Sequence, residues 1–458
     1  MALAFLSSEA NGALPLAAVT RETFAAWRAQ QSERDRNWLD ATGFTGEAGK
    51  LAFLPGPDGR PARVVAGTPE KEPLWCLAGL PEALPEGRYA LEEPLGGAAA
   101  TRAALGWALG TYAFTRYKER TRGFATLVWP ERADRAEVER LARAIFLTRD
   151  LVNTPAEDMG PPHLAAAAEH LAREFGARCT VIAGDALLEQ NYPTIHAVGR
   201  AASRPPCLID LRWGDEAAPK VTLVGKGVCF DSGGLDLKTA AGMKLMKKDM
   251  GGAATAMGLA SALMAAGAPI RLRLLVPAVE NAVSGNAMRP LDIVRTRSGK
   301  TVEIGNTDAE GRLILCDALA EADREKPALL ADFATLTGAA RVALGPDLPA
   351  LFCNDDALAE ALLRAGGAES DPLWRMPLFQ PYRKMIDSKA ADLNNVADWP
   401  YAGAIIAALY LAEFVAPSTP WAHLDILAWN TSAKPGRPEG GEAMGLRALY
   451  AHIRERFG

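Results

Sequence analysis

Histidine is scarce in this chain, and the five present (His163, His170, His196, His423 and His452) include no pair at HxxxH or HExxH spacing. A metal site built on imidazole is therefore not expected. Cysteine is equally sparse: Cys76, Cys179, Cys207, Cys229, Cys316 and Cys353 lie far apart, with no CxxC. That usage excludes a disulfide framework and fits reduced thiols in the cytoplasm. Basic residues are in slight deficit, with 50 Lys and Arg against 55 Asp and Glu for a net charge of −5. Such a balance supplies no field for holding phosphate backbones, which argues against nucleic acid as the main partner. Long apolar runs are missing as well. The most apolar stretch, Ala402 to Val415, is too short to span a bilayer and carries Glu413. The opening MALAFLSSEANGALPLAAV has no basic leader, so no signal peptide is expected. Finally, the Gly225-Lys226 pair lacks the GxxxxGK[ST] spacing of a phosphate loop.

What is present is a 458-residue chain with 49% apolar residues, enough for a large core in two or three domains. Residues 1–145 mix short strand candidates (Lys50–Leu54, Ala62–Ala66, Leu74–Leu77) with turns such as Pro55-Gly-Pro-Asp-Gly59. Helical stretches Ala98–Tyr117 and Arg135–Phe146 close that region, and Asp150–Pro155 reads as a junction. Beyond Cys179, short apolar runs (Val221–Val224, Leu272–Val276, Leu329–Ala331, Leu424–Ile426) alternate with longer helical candidates. The pattern predicts an α/β fold: a smaller N-terminal α/β domain over 1–145 and a larger catalytic domain over 146–458. The larger domain is expected to hold a mixed sheet covered by helices.

Three segments carry chemistry. In Leu223–Lys238 a buried strand runs into a glycine-rich loop holding Lys226, Asp231 and Lys238, the place where open α/β sheets put their sites. Asp231-Ser-Gly-Gly234 looks like a serine-protease nucleophile segment, but no histidine stands in a matching context. In Met243–Gly252, Asp249 sits between Met246 and Met250 just before two glycines; alone it also fits an ordinary helix-start acid. In Ile304–Leu313, Asp308, Glu310 and Arg312 alternate, and along an extended loop they would share one face. A charged turn capping the next helix fits that segment equally well. Together, four carboxylates and two lysines beside glycine-rich turns form an inventory for a two-metal site. Oxygen donors without histidine or thiolate suit Mn²⁺, Zn²⁺, Co²⁺ or Mg²⁺ and do not choose among them.

At this point Lys226…Asp231…Lys238…Asp249 with Asn306-Thr-Asp-Ala-Glu-Gly-Arg312 resembles the leucyl aminopeptidase family, peptidase family M17. The resemblance runs from about Asp150 to Arg447 and includes Asp332–Gly338, Ala391–Val396, Ala402–Ile405 and Trp421–Ile426. Lys244 departs from it, as does the loose Gly441-Glu-Ala-Met-Gly-Leu-Arg447 run. The resemblance implies a metallo-exopeptidase that releases N-terminal residues from peptides with a free N-terminus. It implies one metal held by Asp231, Asp308 and Glu310, and a second held by Lys226, Asp231, Asp249 and Glu310. Lys238 would stabilise an oxyanion and Arg312 would hold a bicarbonate acting as general base. Met246, Thr335, Leu336, Thr337 and Gly338 would line the substrate pocket, and the assembly would be a homohexamer of two stacked trimers. Two other functions compete: a dimetal hydrolase of another substrate class, and a non-catalytic scaffold or DNA-binding regulator on the same fold.

Overall fold

The structure, a computed structural model, describes residues 4–70 and 73–458. The chain divides into two compact units, one comprising residues up to Phe146 with Ser432–Glu439, the other Leu147–Thr431 with Gly440–Gly458. The first unit holds a six-stranded sheet in the order Leu6–Ser7, Thr126–Val128, Arg88–Leu91, Leu14–Val19, Pro61–Gly67, Leu51–Pro55. Its last two strands form the antiparallel hairpin around Pro55–Gly59 that the turn residues predict. Two expectations fail here. Leu74–Leu77 is a buried turn, closed by Ala78 N–H to Trp75 and Leu80 N–H to Leu77. A short apolar run marks burial but does not choose between strand and packed turn. The first helix ends at Gly110 rather than Tyr117. The Arg135 helix, in contrast, runs on to Asn153, through the segment read as a junction.

The second unit is a nine-stranded mixed sheet. At its centre four strands run parallel in the spatial order Trp421–Asp425, Leu329–Ala334, Lys220–Gly225, Arg271–Asn281. Leu329–Ala334 is buried along its whole length, as its apolar run predicts. Helix Gly251–Ala265, apolar on nearly every side, packs on Lys220–Gly225 and Leu329–Ala334 together with the helices Pro161–Phe175 and Leu446–Phe457. Helix Glu310–Asp323 packs on the same strands with Pro193–Gly199 and Gly403–Ala412 as its neighbours. Among the described residues no helix is long and apolar enough to cross a membrane.

Two buried polar networks brace this sheet. Asp332 accepts from Trp421 Nε1 at 2.8 Å and lies 2.6 Å from His423 Nδ1, tying two neighbouring strands. Arg149 pairs with Glu442 at 3.0 Å, both almost fully buried, and Asn430 also donates to Glu442. Burial raises the Glu442 carboxyl, but Arg149 outweighs it and holds the group below the usual range. A depressed carboxyl stabilises the fold above its unfolded pKa of about 4.3 and loses that contribution as pH falls through the folded value. Glu442→Gln should therefore cost about 3–5 kcal/mol near pH 7, because it removes the charge that compensates the buried Arg149 guanidinium. Urea midpoints should show that gap narrowing below about pH 4.3; a gap constant down to pH 3 would contradict the assignment.

Candidate metal centre

The site lies beyond the carboxyl ends of the central parallel strands, where adjacent loops diverge. Lys226 follows Lys220–Gly225 directly, with its backbone N–H donated to Phe333 and its carbonyl accepting from Ala253. The chain then re-enters the sheet as Gly227–Asp231, paired in parallel with the far end of Arg271–Asn281. Asp231 is thereby set beside Asn281, whose Nδ2 donates to Asp231 Oδ1 at 2.9 Å. Gly233 N–H, from a residue at φ +91° that only glycine adopts easily, donates to the same oxygen. Asp249 closes the short 3₁₀ turn Met246–Met250, and its Oδ1 accepts from Thr335 Oγ1 at 2.8 Å. Glu310 opens the helix Glu310–Asp323.

That last placement corrects the extended-loop reading of Asp308, Glu310 and Arg312. Asn306 Oδ1 caps Asp308 N–H at 2.7 Å and turns the chain into the helix, so Glu310 and Arg312 are separated by about 200° around its axis. Three alternating residues are too few to distinguish a strand from a turn entering a helix. Both side chains still reach the same cavity, because Arg312 bends to donate to the Asn395 carbonyl.

Four carboxylates and two ammonium groups interlock. Lys226 Nζ lies 2.6 Å from Asp249 Oδ2 and 3.0 Å from Glu310 Oε1, and donates to the Thr335 carbonyl. Lys238 Nζ lies 2.8 Å from Asp231 Oδ2 and also pairs with Asp308. Oxygens of Asp231, Asp308 and Glu310 lie within 4.8 Å of one another. Gly311 permits the approach of Lys226: a Cβ there would lie 2.5 Å from Lys226 Cε.

The electrostatics show a cluster short of positive charge. Burial and the neighbouring Asp231 push Glu310 up to about 8 and Asp308 up to about 6. Burial favours a neutral Lys226, yet Asp249 and Glu310 outweigh it and hold the ammonium above the ordinary lysine range. Asp249 is held below the carboxylate range, the cations of Lys226 and Lys248 overcoming its burial. Its Oδ2 is partnered only by the Lys226 ammonium, and Arg312 Nε is buried with no hydrogen-bond partner. Crowded oxygens and raised carboxyls are what a cation-binding donor set requires. The residues fit divalent metal.

A cavity of about 410 Å³ opens over this cluster. Lys226, Asp231, Lys238, Asp249, Asp308, Glu310 and Arg312 all line it, as do Met246, Thr335, Leu336, Thr337 and Gly338. Sequence reasoning missed four contributors. Asn281 and Asn395 position Asp231 and the Asn306 turn, and Asp425 accepts from Leu336 N–H and Thr337 N–H. Lys248, buried in the cavity wall, is the fourth. Asn395 and Asp425 fall within quoted motif blocks, whereas Lys248 is signalled only by a charge amid methionines.

Comparisons with known proteins agree with this geometry. Residues 146–450 match the model of the cytosol aminopeptidase family catalytic domain, and residues 14–130 match that of the M17 aminopeptidase N-terminal domain. The chain is 42% identical over 375 residues to a protein of Roseiflexus castenholzii named "Probable cytosol aminopeptidase", covering 76% of this chain and 74% of that one. The crystal structure of cytosol aminopeptidase from Coxiella burnetii superposes with a TM-score of 0.95 at 51% identity, covering 99% of both chains. The bottromycin maturation enzyme BotP in complex with Mn superposes with a TM-score of 0.88 at 34% identity, covering 97% of this chain and 99% of that one. With its α/β domains and its carboxylate cluster, the chain belongs to the M17 cytosol aminopeptidase family and is a metal-dependent hydrolase.

Proposed function

We propose that the chain releases N-terminal amino acids from peptides by a two-metal hydrolysis, with the catalytic domain over 146–458 and the N-terminal domain over 1–145. The observation that carries this reading is the shared carboxylate cluster: four acids and Lys226 converge where two cations could share Asp231 and Glu310. One metal would be held by Asp231, Asp308 and Glu310, and the other by Lys226, Asp231, Asp249 and Glu310. When bound, Mn²⁺ or Zn²⁺ (Co²⁺ or Mg²⁺ as alternatives) supplies Lewis acidity and lowers the pKa of a water. Lys226 could be a metal ligand only as a neutral amine, and would have to lose the proton that Asp249 and Glu310 hold on it in the free protein.

Lys238 keeps its charge, released from its partners Asp231 and Asp308 to face the substrate oxyanion. Arg312 offers its unpartnered Nε and the rest of its fork to a bicarbonate, which would serve as general base. Met246 and Thr335–Gly338 form the wall that receives the first side chain. The names of the relatives support a cytoplasmic enzyme. We further propose a homohexamer, which rests on the resemblance to the family alone. Light scattering should find six subunits, and a stable, active monomer would reject that assembly.

The test of the reaction is chelation followed by reconstitution. Amide hydrolysis should vanish once elemental analysis finds no metal, and return with Mn²⁺, Co²⁺ or Zn²⁺. Phosphatase activity without amide turnover would favour the other hydrolase class instead.

A further inference from the structure

The charge ledger of the cavity does not close on the metal ligands. Lys248 is buried, with its side chain 6% exposed, yet it lines the cavity. Its ammonium makes no hydrogen bond among the described residues; its nearest carboxylate oxygen, Asp249 Oδ1, is 3.7 Å away and already accepts from Thr335. Asp425, the other acid within electrostatic reach, is fully engaged: it accepts from Leu336 N–H at 3.0 Å, Thr337 N–H at 3.2 Å and Thr337 Oγ1 at 2.6 Å. Arg341, on the helix Gly338–Leu344, brings a second cation to the same cavity, where a Cβ on Gly338 would lie 3.7 Å from its Nη2. Its guanidinium has no ion pair among the described residues.

An ammonium that lines a cavity with its nearest carboxylate oxygen at 3.7 Å is poorly paired, and a ligand that brings a charged acceptor to it is favoured. The metal-binding carboxylates cannot turn toward Lys248, because each is already committed to the cluster. A carboxylate on the substrate would supply the close acceptor that Lys248 lacks within the protein. Met246 and Leu336, apolar neighbours in the same wall, suit the methylene stem of such a group.

Resting on the aminopeptidase reading above, we infer that the side-chain pocket of this enzyme accepts a carboxylate, with Lys248 and Arg341 selecting peptides that begin with glutamate or aspartate. Lys248 acts as the buried anchor and Arg341 as the exposed second cation.

The test compares kcat/KM for glutamyl, aspartyl and leucyl amides on the manganese-loaded protein. The acidic amides should be turned over faster. In Lys248→Met the glutamyl-to-leucyl ratio should fall by about 10- to 100-fold, the range of a hydrogen bond to a charged group. Arg341→Ala, on an exposed helix face, should lower the ratio less. Elemental analysis of each variant separates this effect from metal loss. A second readout needs no turnover: free L-glutamate should raise the Tm of the manganese-loaded protein more than L-leucine does, and Lys248→Met should erase that difference. If Lys248→Met does not fold, Arg341→Ala and the wild-type Tm shifts decide. Faster leucyl turnover with a ratio unmoved by either variant overturns the inference and leaves the aminopeptidase standing. Absence of all amide turnover overturns the aminopeptidase reading instead, and the Tm shifts still decide what the pocket binds.

Discussion

Glu310→Gln is expected to remove metal and abolish turnover while making the metal-free protein more stable at alkaline pH. The two effects have one origin. Glu310 is buried at 1% exposure and faces Asp231, Asp249 and Asp308, so in the free protein its carboxyl is pushed up to about 8. An acid raised above its unfolded pKa of about 4.3 opposes folding progressively as pH climbs from that value to about 8. Glutamine mimics the protonated acid and is spared that cost. The same substitution deletes a charge that the proposed ion pair needs on both sides. Urea midpoints of the chelated proteins at pH 4 and pH 8.5 should thus nearly agree at the lower pH and separate at the higher, the variant being the more stable. Elemental analysis should find it stripped of metal. Asp308→Ala should also abolish turnover. Full metal occupancy in Glu310→Gln would remove Glu310 from the ligand set.

Much of this architecture was legible because it rests on pattern. Buried strands such as Leu329–Ala334 are continuous apolar runs, and the helix Gly251–Ala265 is apolar throughout. The acids and lysines of the cluster stood out because charges beside glycine-rich turns have no packing explanation. Geometry was harder to read. The turn at Asn306 that precedes the Glu310 helix is closed by a side-chain acceptor within the turn, and Leu74–Leu77 depends on what packs above it. Lys248 was overlooked for a further reason: its significance lies in a missing partner, and partners separated by some 90 residues, such as Leu336 and Asp425, are invisible along the chain.

Blocking the N-terminus should reduce turnover of an otherwise good substrate by orders of magnitude. Two dications would contribute +4 against the −4 of Asp231, Asp249, Asp308 and Glu310, with Lys226 neutral as a ligand. Such a centre is close to neutral, and an incoming group with a lone pair and no charge suits it. A deprotonated α-amine is that group. Asp249 is placed to accept its hydrogens once Lys226 is neutral, since Oδ2 is partnered only by the Lys226 ammonium while Oδ1 is engaged by Thr335. An acetyl group withdraws the amine lone pair and adds bulk against the buried wall of Lys226 and Lys248. Fixing the amine at Asp249 also sets the register of the chain, so that cleavage stops after one residue. At subsaturating substrate the rate should rise through about pH 7.7–8.0, where a free α-amine loses its proton. Asp249→Asn, which removes a charge from the proposed second metal's ligand set as well as from the amine's acceptor, should lower metal occupancy and raise KM for free peptides. Equal kcat/KM for matched free and N-acetylated peptides would overturn the anchoring role of Asp249.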